Sequence, residues 1–277
     1  MANAARVVGL CLSGMLMLGG MTACSQPSVA AQAGSRDGER PLLDVPYVPT
    51  RTAVVEKMLE MGQVGANDYV IDLGSGDGRI LVAAARDRDA RGFGVDIDPE
   101  RIAEAEANAK AAGVSDRVTF RRQDLFQTPI KEATVLTMYL LPEVNLKLRP
   151  RILSELRPGT RIVSHAFDMG DWEPDEKAEA DGATVYHWIV PANIAGRWTL
   201  SGAGQPMTID VKQTFQNVEG SISRPGGMAK VEGKLAGDII RFNADLGDGA
   251  REHEGRVSGN TIAPTDSAAR WRLTRAG

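Results

Sequence analysis

The sequence predicts an α/β fold: a parallel sheet with helices on both faces, followed by a smaller antiparallel β region. Three observations carry this. From about Leu42 to about Pro191, short apolar runs alternate with helical stretches, the pattern of strand–helix–strand units. Within that span, VIDLGSGDGRI (70–80) reads as a strand, a glycine-dense turn and the start of a helix. After Pro191 glycines become frequent and helical periodicity disappears, which suits strands joined by tight turns.

The elements follow in order. TAVVEKMLEMG (52–62) spaces its apolar residues as one helix face, and YVIDLG (69–74) is the first strand. RILVAAARD (79–87) is a helix, GFGVDI (92–97) a strand, and PERIAEAEANAKAAG (99–113) a helix opened by Pro99 and closed by Gly113. VTFRRQ (118–123) and ATVLTMYL (133–140) are strands, LKLRPRILSEL (146–156) a helix, and TRIVSHAF (160–167) and TVYHWIV (184–190) strands. Beyond them, EGKLAGDII (232–240) and EGRVSGNTI (254–262) each read as strand, Gly-Asp or Gly-Asn turn, strand. VEGSIS (218–223) is a shorter relative, and GRWTL (196–200) and ARWRL (269–273) are candidates for the first and last strands of an antiparallel meander or small barrel. This region holds no clustered carboxylates or histidines, so no catalytic centre is expected there.

Composition excludes several function classes. The net charge of −4 and the lack of any long basic tract argue against a nucleic-acid partner. Both cysteines, Cys11 and Cys24, lie in the first 24 residues, so the folded body has neither a disulfide framework nor a cysteine metal site. His165, His187 and His253 are far apart in sequence and form no compact metal signature. Val7–Ala23 carries no charge and follows Arg6; it is short for the about 20 residues that cross a bilayer as a helix and resembles a signal h-region. Met21-Thr22-Ala23-Cys24 resembles a lipoprotein cleavage box. Cleavage near Ala30-Ala31 and an uncleaved anchor are the other readings. Residues 25–41, rich in Ser, Gln, Ala, Gly and Pro, read as a flexible tether. The expected organisation is a targeting segment over 1–24, the tether over 25–41, the sheet domain over 42–192 and the β-rich region over 193–277. The expected location is the cell envelope, lipid-anchored or periplasmic, with a membrane anchor facing the cytoplasm as the alternative; only the N-terminal segment contacts membrane.

The glycine turn decides the ligand. A dinucleotide fingerprint is G-x-G-x-x-G and lays pyrophosphate on a helix N-terminus. Here Gly74, Gly76 and Gly78 fall as G-x-G-x-G, and Arg79 takes the place of the third glycine. Asp72 precedes the turn and Asp77 lies inside it; two carboxylates repel a pyrophosphate and suit a cationic ligand without phosphate. S-adenosylmethionine, with a sulfonium and an α-ammonium, is such a ligand. Asp96 ends the second strand, where a carboxylate accepts from ribose hydroxyls. Asp124 ends the third, where it can accept from the adenine amino group while Leu125 packs on the ring.

Together, Asp72-x-Gly74-x-Gly76-x-Gly78, Asp96 and Asp124 resemble the successive motifs of class I, seven-strand S-adenosylmethionine-dependent methyltransferases, over about residues 45–190. The resemblance implies a Rossmann-like sheet of order 3-2-1-4-5-7-6, with the seventh strand antiparallel. It implies that Gly74, Ser75, Gly76 and Gly78 form the turn beside the methionine moiety, and that Asp72 or Asp77 meets its ammonium. Asp96, with Ile97 beside it, binds ribose, and Asp124 with Leu125 binds adenine. A narrower similarity, carried by DVPYVPTRTAVVEKML (44–59) and the segment after the fourth strand, is to a little-studied bacterial set and, more loosely, to mitochondrial lysine methyltransferases. By that similarity Tyr47, Val48, Pro49 and Thr50 help close the cofactor site.

The acceptor pocket is expected beyond the fourth strand, where Tyr139, Glu143 and Asn145 lie, and beyond the fifth, where His165, Asp168, Asp171 and Trp172 lie. Tyr139 is a candidate to orient the acceptor and His165 a candidate proton acceptor. Trp172 either walls the pocket or caps the sheet, and no residue demands a metal. The expected activity is in-line methyl transfer to a protein lysine or a small molecule. The alternative is a non-catalytic, envelope-anchored binding protein that keeps the fold.

Overall fold

Seven strands form the sheet: β1 (Tyr69–Leu73), β2 (Arg91–Asp96), β3 (Val118–Arg122), β4 (Val135–Met138), β5 (Arg161–His165), β6 (Glu176–Ala180) and β7 (Ala183–Ile189). They run in the order β3-β2-β1-β4-β5-β7-β6. The first five are parallel, and β7 is antiparallel to both β5 and β6. This is the expected Rossmann-like topology. The structure, a computed structural model, describes residues 47–202, 204–224, 227–246 and 249–276; the predicted targeting segment and tether lie outside the described residues.

Central strands alternate their apolar side chains between two cores, as a sheet covered on both faces must. Val70, Val135, Val163 and Val185 face one core with α1 (Thr52–Met61), α2 (Arg79–Arg88) and α3 (Pro99–Ala111). Ile71, Leu136, Ile162 and Trp188 face the other with α4 (Pro142–Glu155). Each helix buries one stripe: Val54, Val55, Met58 and Leu59 on α1, and Val144, Leu148 and Ile152 on α4. Asp98 caps α3 by accepting from the Glu100 N–H at 2.8 Å, with Pro99 in the first helical position.

Two elements depart from the expectation. Helix α4 starts at Pro142, not at residue 146, because a proline in the first turn costs no hydrogen bond. That draws Asn145 into the helix and fully buries it. Strand β6, EKAEA, was not expected as a separate element; it is a short, charged edge strand without an apolar run to announce it.

The C-terminal region is a closed barrel of eight antiparallel strands: β8 (Gly196–Ser201), β9 (Met207–Thr214), β10 (Asn217–Arg224), β11 (Gly227–Ala236), β12 (Ile239–Asp245), β13 (Ala250–Ser258), β14 (Thr261–Pro264) and β15 (Arg272–Arg275). Each strand pairs with the next, and β15 closes on β8. The two expected turns fall at Gly237-Asp238 and Gly259-Asn260. Alternate residues point inward, so Trp198, Leu200, Ile240, Phe242, Trp271 and Leu273 fill the interior.

The barrel grips the sheet domain through the β9–β10 turn. Phe215, at φ 54°, stacks on Trp172 with ring centroids 5.8 Å apart. The Arg149 guanidinium lies 5.2 Å from the centre of the same Phe215 ring. The Gln216 side chain donates to the Glu173 carbonyl at 2.9 Å. Trp172 is therefore a fully buried packing residue between Trp188 and Phe215, not a wall of the acceptor pocket.

Candidate active site

The carboxyl ends of β1, β2 and β4 border one cleft that is open at its mouth. Asp72, Gly74, Ser75, Gly76 and Asp77 line it from the β1–α2 turn. Asp96 and Ile97 line it after β2, and Asp124 and Leu125 after β3. Tyr47, Pro49 and Thr50 line it from the segment before α1, and Tyr139 from the end of β4. Of the expected residues, Gly78 faces away, toward Phe120 and Ala105, as the residue preceding α2.

The turn is held open by β2. Gly74 N and Ser75 N both donate to the Val95 carbonyl, at 2.9 and 2.8 Å. Asp96 accepts from Gly76 N through Oδ2 and from Asp98 N through Oδ1, each at 2.9 Å. Both Asp96 oxygens are thus fixed while retaining further acceptor capacity. Asp124 likewise accepts from Phe126 N at 2.8 Å and sets the short turn Leu125–Gln127.

The two acids that sequence left as alternatives for the ammonium are in different states. Asp77 is clamped by Arg79: Nε donates to Oδ1 at 2.9 Å and Nη2 to Oδ2 at 2.5 Å. Partial burial pushes its pKa up, but the Arg79 hydrogen bonds and charge outweigh that and hold it below the usual carboxylate range. Asp72 is 2 % exposed. Its Oδ1 accepts from Thr137 Oγ1 at 2.7 Å, and its Oδ2 has no partner. Burial pushes its pKa up to about 7, against the pull of the Thr137 bond. Ser75 Oγ is also buried and unpartnered. Buried polar atoms without partners are rare in folded proteins; two in the residues of the glycine turn and the strand before it fit a ligand that brings hydrogen-bond donors.

The segment 47–50 crosses over the glycine turn. A Cβ on Gly76 would lie 2.6 Å from the Tyr47 ring, so only glycine admits this approach. The Arg101 guanidinium sits 4.5 Å from the centre of that ring. Arg79 Nη1 donates to the Thr50 carbonyl at 2.8 Å, and Thr50 Oγ1 shares a 3.1 Å hydrogen bond with His165 Nδ1. Sequence reasoning missed the roles of Arg79, Arg101 and Thr137. Arg79 stood beside the motif, but nothing in the chain announces the other two.

Beside the cleft, the Tyr139 ring packs on His165 with centroids 3.7 Å apart and planes 33° apart, and stacks on Phe167 at 6.2 Å. Phe167 reaches this position through a tight turn at Ala166, φ 66°, where Phe167 N donates to the His165 carbonyl at 2.9 Å. His165 is 6 % exposed and lies behind Tyr139, outside the cleft lining. Burial lowers its pKa, which keeps the ring neutral. Asn145, placed near the acceptor by sequence, instead donates from Nδ2 to the Phe167 and Asp168 carbonyls at 3.3 and 3.1 Å and braces the loop after β5. Glu143 and Asp168 are exposed, and Asp171 pairs with Arg149. Among the described residues no cluster of potential metal ligands occurs.

Known proteins share this arrangement. The family model of the ANTKMT methyltransferase domain matches residues 72–176. A protein-lysine N-methyltransferase of Saccharolobus islandicus is 45% identical over 146 residues, covering 52% of this chain and 91% of the relative. The adenine nucleotide translocase lysine N-methyltransferase of Mus musculus is 32% identical over 165 residues, 60% of this chain and 70% of the relative. The crystal structure of an RNA methyltransferase from Salinibacter ruber in complex with S-adenosyl-L-homocysteine superimposes with a TM-score of 0.52 at 54% identity. That match covers 53% of this chain and 96% of that one. With the sheet order, the acid-lined glycine turn and these relatives, the chain belongs to the class I methyltransferases that use S-adenosylmethionine as cofactor.

Proposed function

We propose that the chain methylates the ε-amine of a lysine in a protein. The carrying observation is the charge of the cleft. Five aspartates line it, Asp72, Asp77, Asp96, Asp98 and Asp124, against two arginines, Arg79 and Arg101. Arg79 is spent on Asp77, and Arg101 covers Tyr47. Asp72, Asp96 and Asp124 serve the cationic cofactor, and an acidic lining of this kind repels a phosphate backbone as acceptor. The names of the Saccharolobus and mouse relatives, both lysine methyltransferases, support the lysine acceptor. The Salinibacter protein is titled an RNA methyltransferase; an acidic cleft and a net charge of −4 weigh against that acceptor here.

Bound S-adenosylmethionine supplies a methyl group on a sulfonium, a leaving group that departs without acid. The residues of the chain do the rest. Asp72 Oδ2 takes the ammonium, Asp96 the ribose hydroxyls, and Asp124 with Leu125 the adenine. Tyr139 borders the acceptor end, and Phe167 stacks against it. Aromatic walls strip water from an incoming ammonium and lower its pKa, so that its proton passes to solvent and the Nζ lone pair is free before transfer. Alignment of that lone pair with the methyl carbon is the main catalytic task. The uncharged stretch Val7–Ala23 supports a location at the cell envelope, which a periplasm-dependent reporter fused after residue 277 tests.

The test of the acceptor is incubation of the full chain with methyl-labelled cofactor and cell lysate. The expected label is in protein and is recovered as methyllysine after acid hydrolysis. Label in RNA or small metabolites overturns the lysine reading. Cofactor binding without any transfer favours the non-catalytic alternative.

A further inference from the structure

The segment 47–50 belongs to no helix or strand, and Tyr47, Val48 and Pro49 are exposed. Thr50 is its buried member, at 4 % exposure, immediately before α1. Thr50 is held twice. Its carbonyl accepts from Arg79, the residue that clamps Asp77 in the glycine turn. Its hydroxyl meets His165 at the end of β5, 115 positions away in the chain. The His165 ring in turn packs against Tyr139, centroids 3.7 Å apart and planes 33° apart. One residue of the strap therefore joins the cofactor turn on one side and the acceptor wall on the other.

We propose that His165 is a positioning residue: through Thr50 it latches the 47–50 strap over the cofactor, and through its stacked ring it sets Tyr139, so cofactor closure and the acceptor wall are aligned together. His165 touches neither the cleft nor the reacting atoms. Its ring is desolvated and neutral, so it offers Thr50 a hydrogen bond without introducing a charge behind the cleft. The inference rests on the cofactor site described above but not on the identity of the acceptor.

The test is calorimetric titration of the full chain with S-adenosylmethionine, using Thr50→Val, Thr50→Ser, His165→Asn and the Thr50→Val/His165→Asn pair. Thr50→Val keeps the shape and removes only the hydroxyl, leaving a buried partner unsatisfied. The latch predicts about tenfold weaker binding in Thr50→Val and in His165→Asn. It predicts that the double variant is no weaker than either single one, because both remove one interaction. Thr50→Ser restores binding to within about threefold. Binding by Thr50→Val within about twofold of the parent, or losses that add in the double variant, overturns the latch. No binding by the parent chain overturns the cofactor site itself and the latch with it.

Discussion

In the sheet domain five buried side-chain atoms lack a hydrogen-bond partner: Asp72 Oδ2, Ser75 Oγ, Asn145 Oδ1, Trp172 Nε1 and His187 Nε2. In the barrel, among the described residues, the buried polar side chains Gln216 and His253 are both bonded. Both regions have buried cores that include tryptophans, but among the described residues the unpartnered buried polar atoms lie in the sheet domain. Two of the five belong to residues that line the cleft, Asp72 and Ser75; Asn145 lies in α4 and braces the loop after β5 that carries Trp172, and His187 lies in β7. Unpaired buried atoms cost stability, and two of the five sit beside the cleft where a ligand could supply partners. The barrel interior is filled, so its part in the molecule is exercised through its outer surface and its grip on the sheet domain.

That contrast can be broken most forcefully at Asp96. Its carboxylate fixes Gly76 and Asp98 and lines the cleft; with the proposed ribose role, Asp96→Ala weakens S-adenosylmethionine binding by about a hundredfold in calorimetry. The fold should persist by circular dichroism. Phe215→Ala probes the grip instead. It removes the stack on Trp172 and the Arg149 contact, together worth about 1–2 kcal/mol. The melting temperature falls by about 4 °C, while cofactor affinity changes less than about twofold. An equal loss of affinity would show that the barrel shapes the cleft. The smallest effect is expected at Arg197→Ala on the barrel exterior. That residue pairs with Asp210 at 2.8 Å where both are largely exposed, and its loss leaves the melting temperature unchanged within error.

The sheet domain was more legible in sequence than the barrel, for physical reasons. Asp72, Asp96 and Asp124 sit at strand ends within a few residues of the glycines or apolar runs that mark those strands, so local pattern places them in one cleft. The Gly237-Asp238 and Gly259-Asn260 turns were legible because turn chemistry is local. The turn at Phe215 was not: a phenylalanine at positive φ gives no turn signal and is stabilised by Trp172 and Arg149 of the sheet domain. Closure of β15 on β8 and the bond from Thr50 to His165 join distant positions, and periodicity carries no trace of either. The same holds for Asp72 and Asp77, which look equivalent in sequence and are separated by the burial and Thr137 bond of the one and the Arg79 clamp on the other.

The claim that Asp72 is the carboxylate reserved for the ammonium is tested by titrating the full chain with S-adenosylmethionine across pH. The free carboxyl titrates at about 7, and only its ionised form pairs with an ammonium. Affinity therefore rises about tenfold per pH unit up to about pH 7 and then levels, and Asp72→Asn binds weakly with no such slope. Affinity that is flat through that range, or an Asp72→Asn chain that binds like the parent while Asp77→Asn does not, contradicts the assignment.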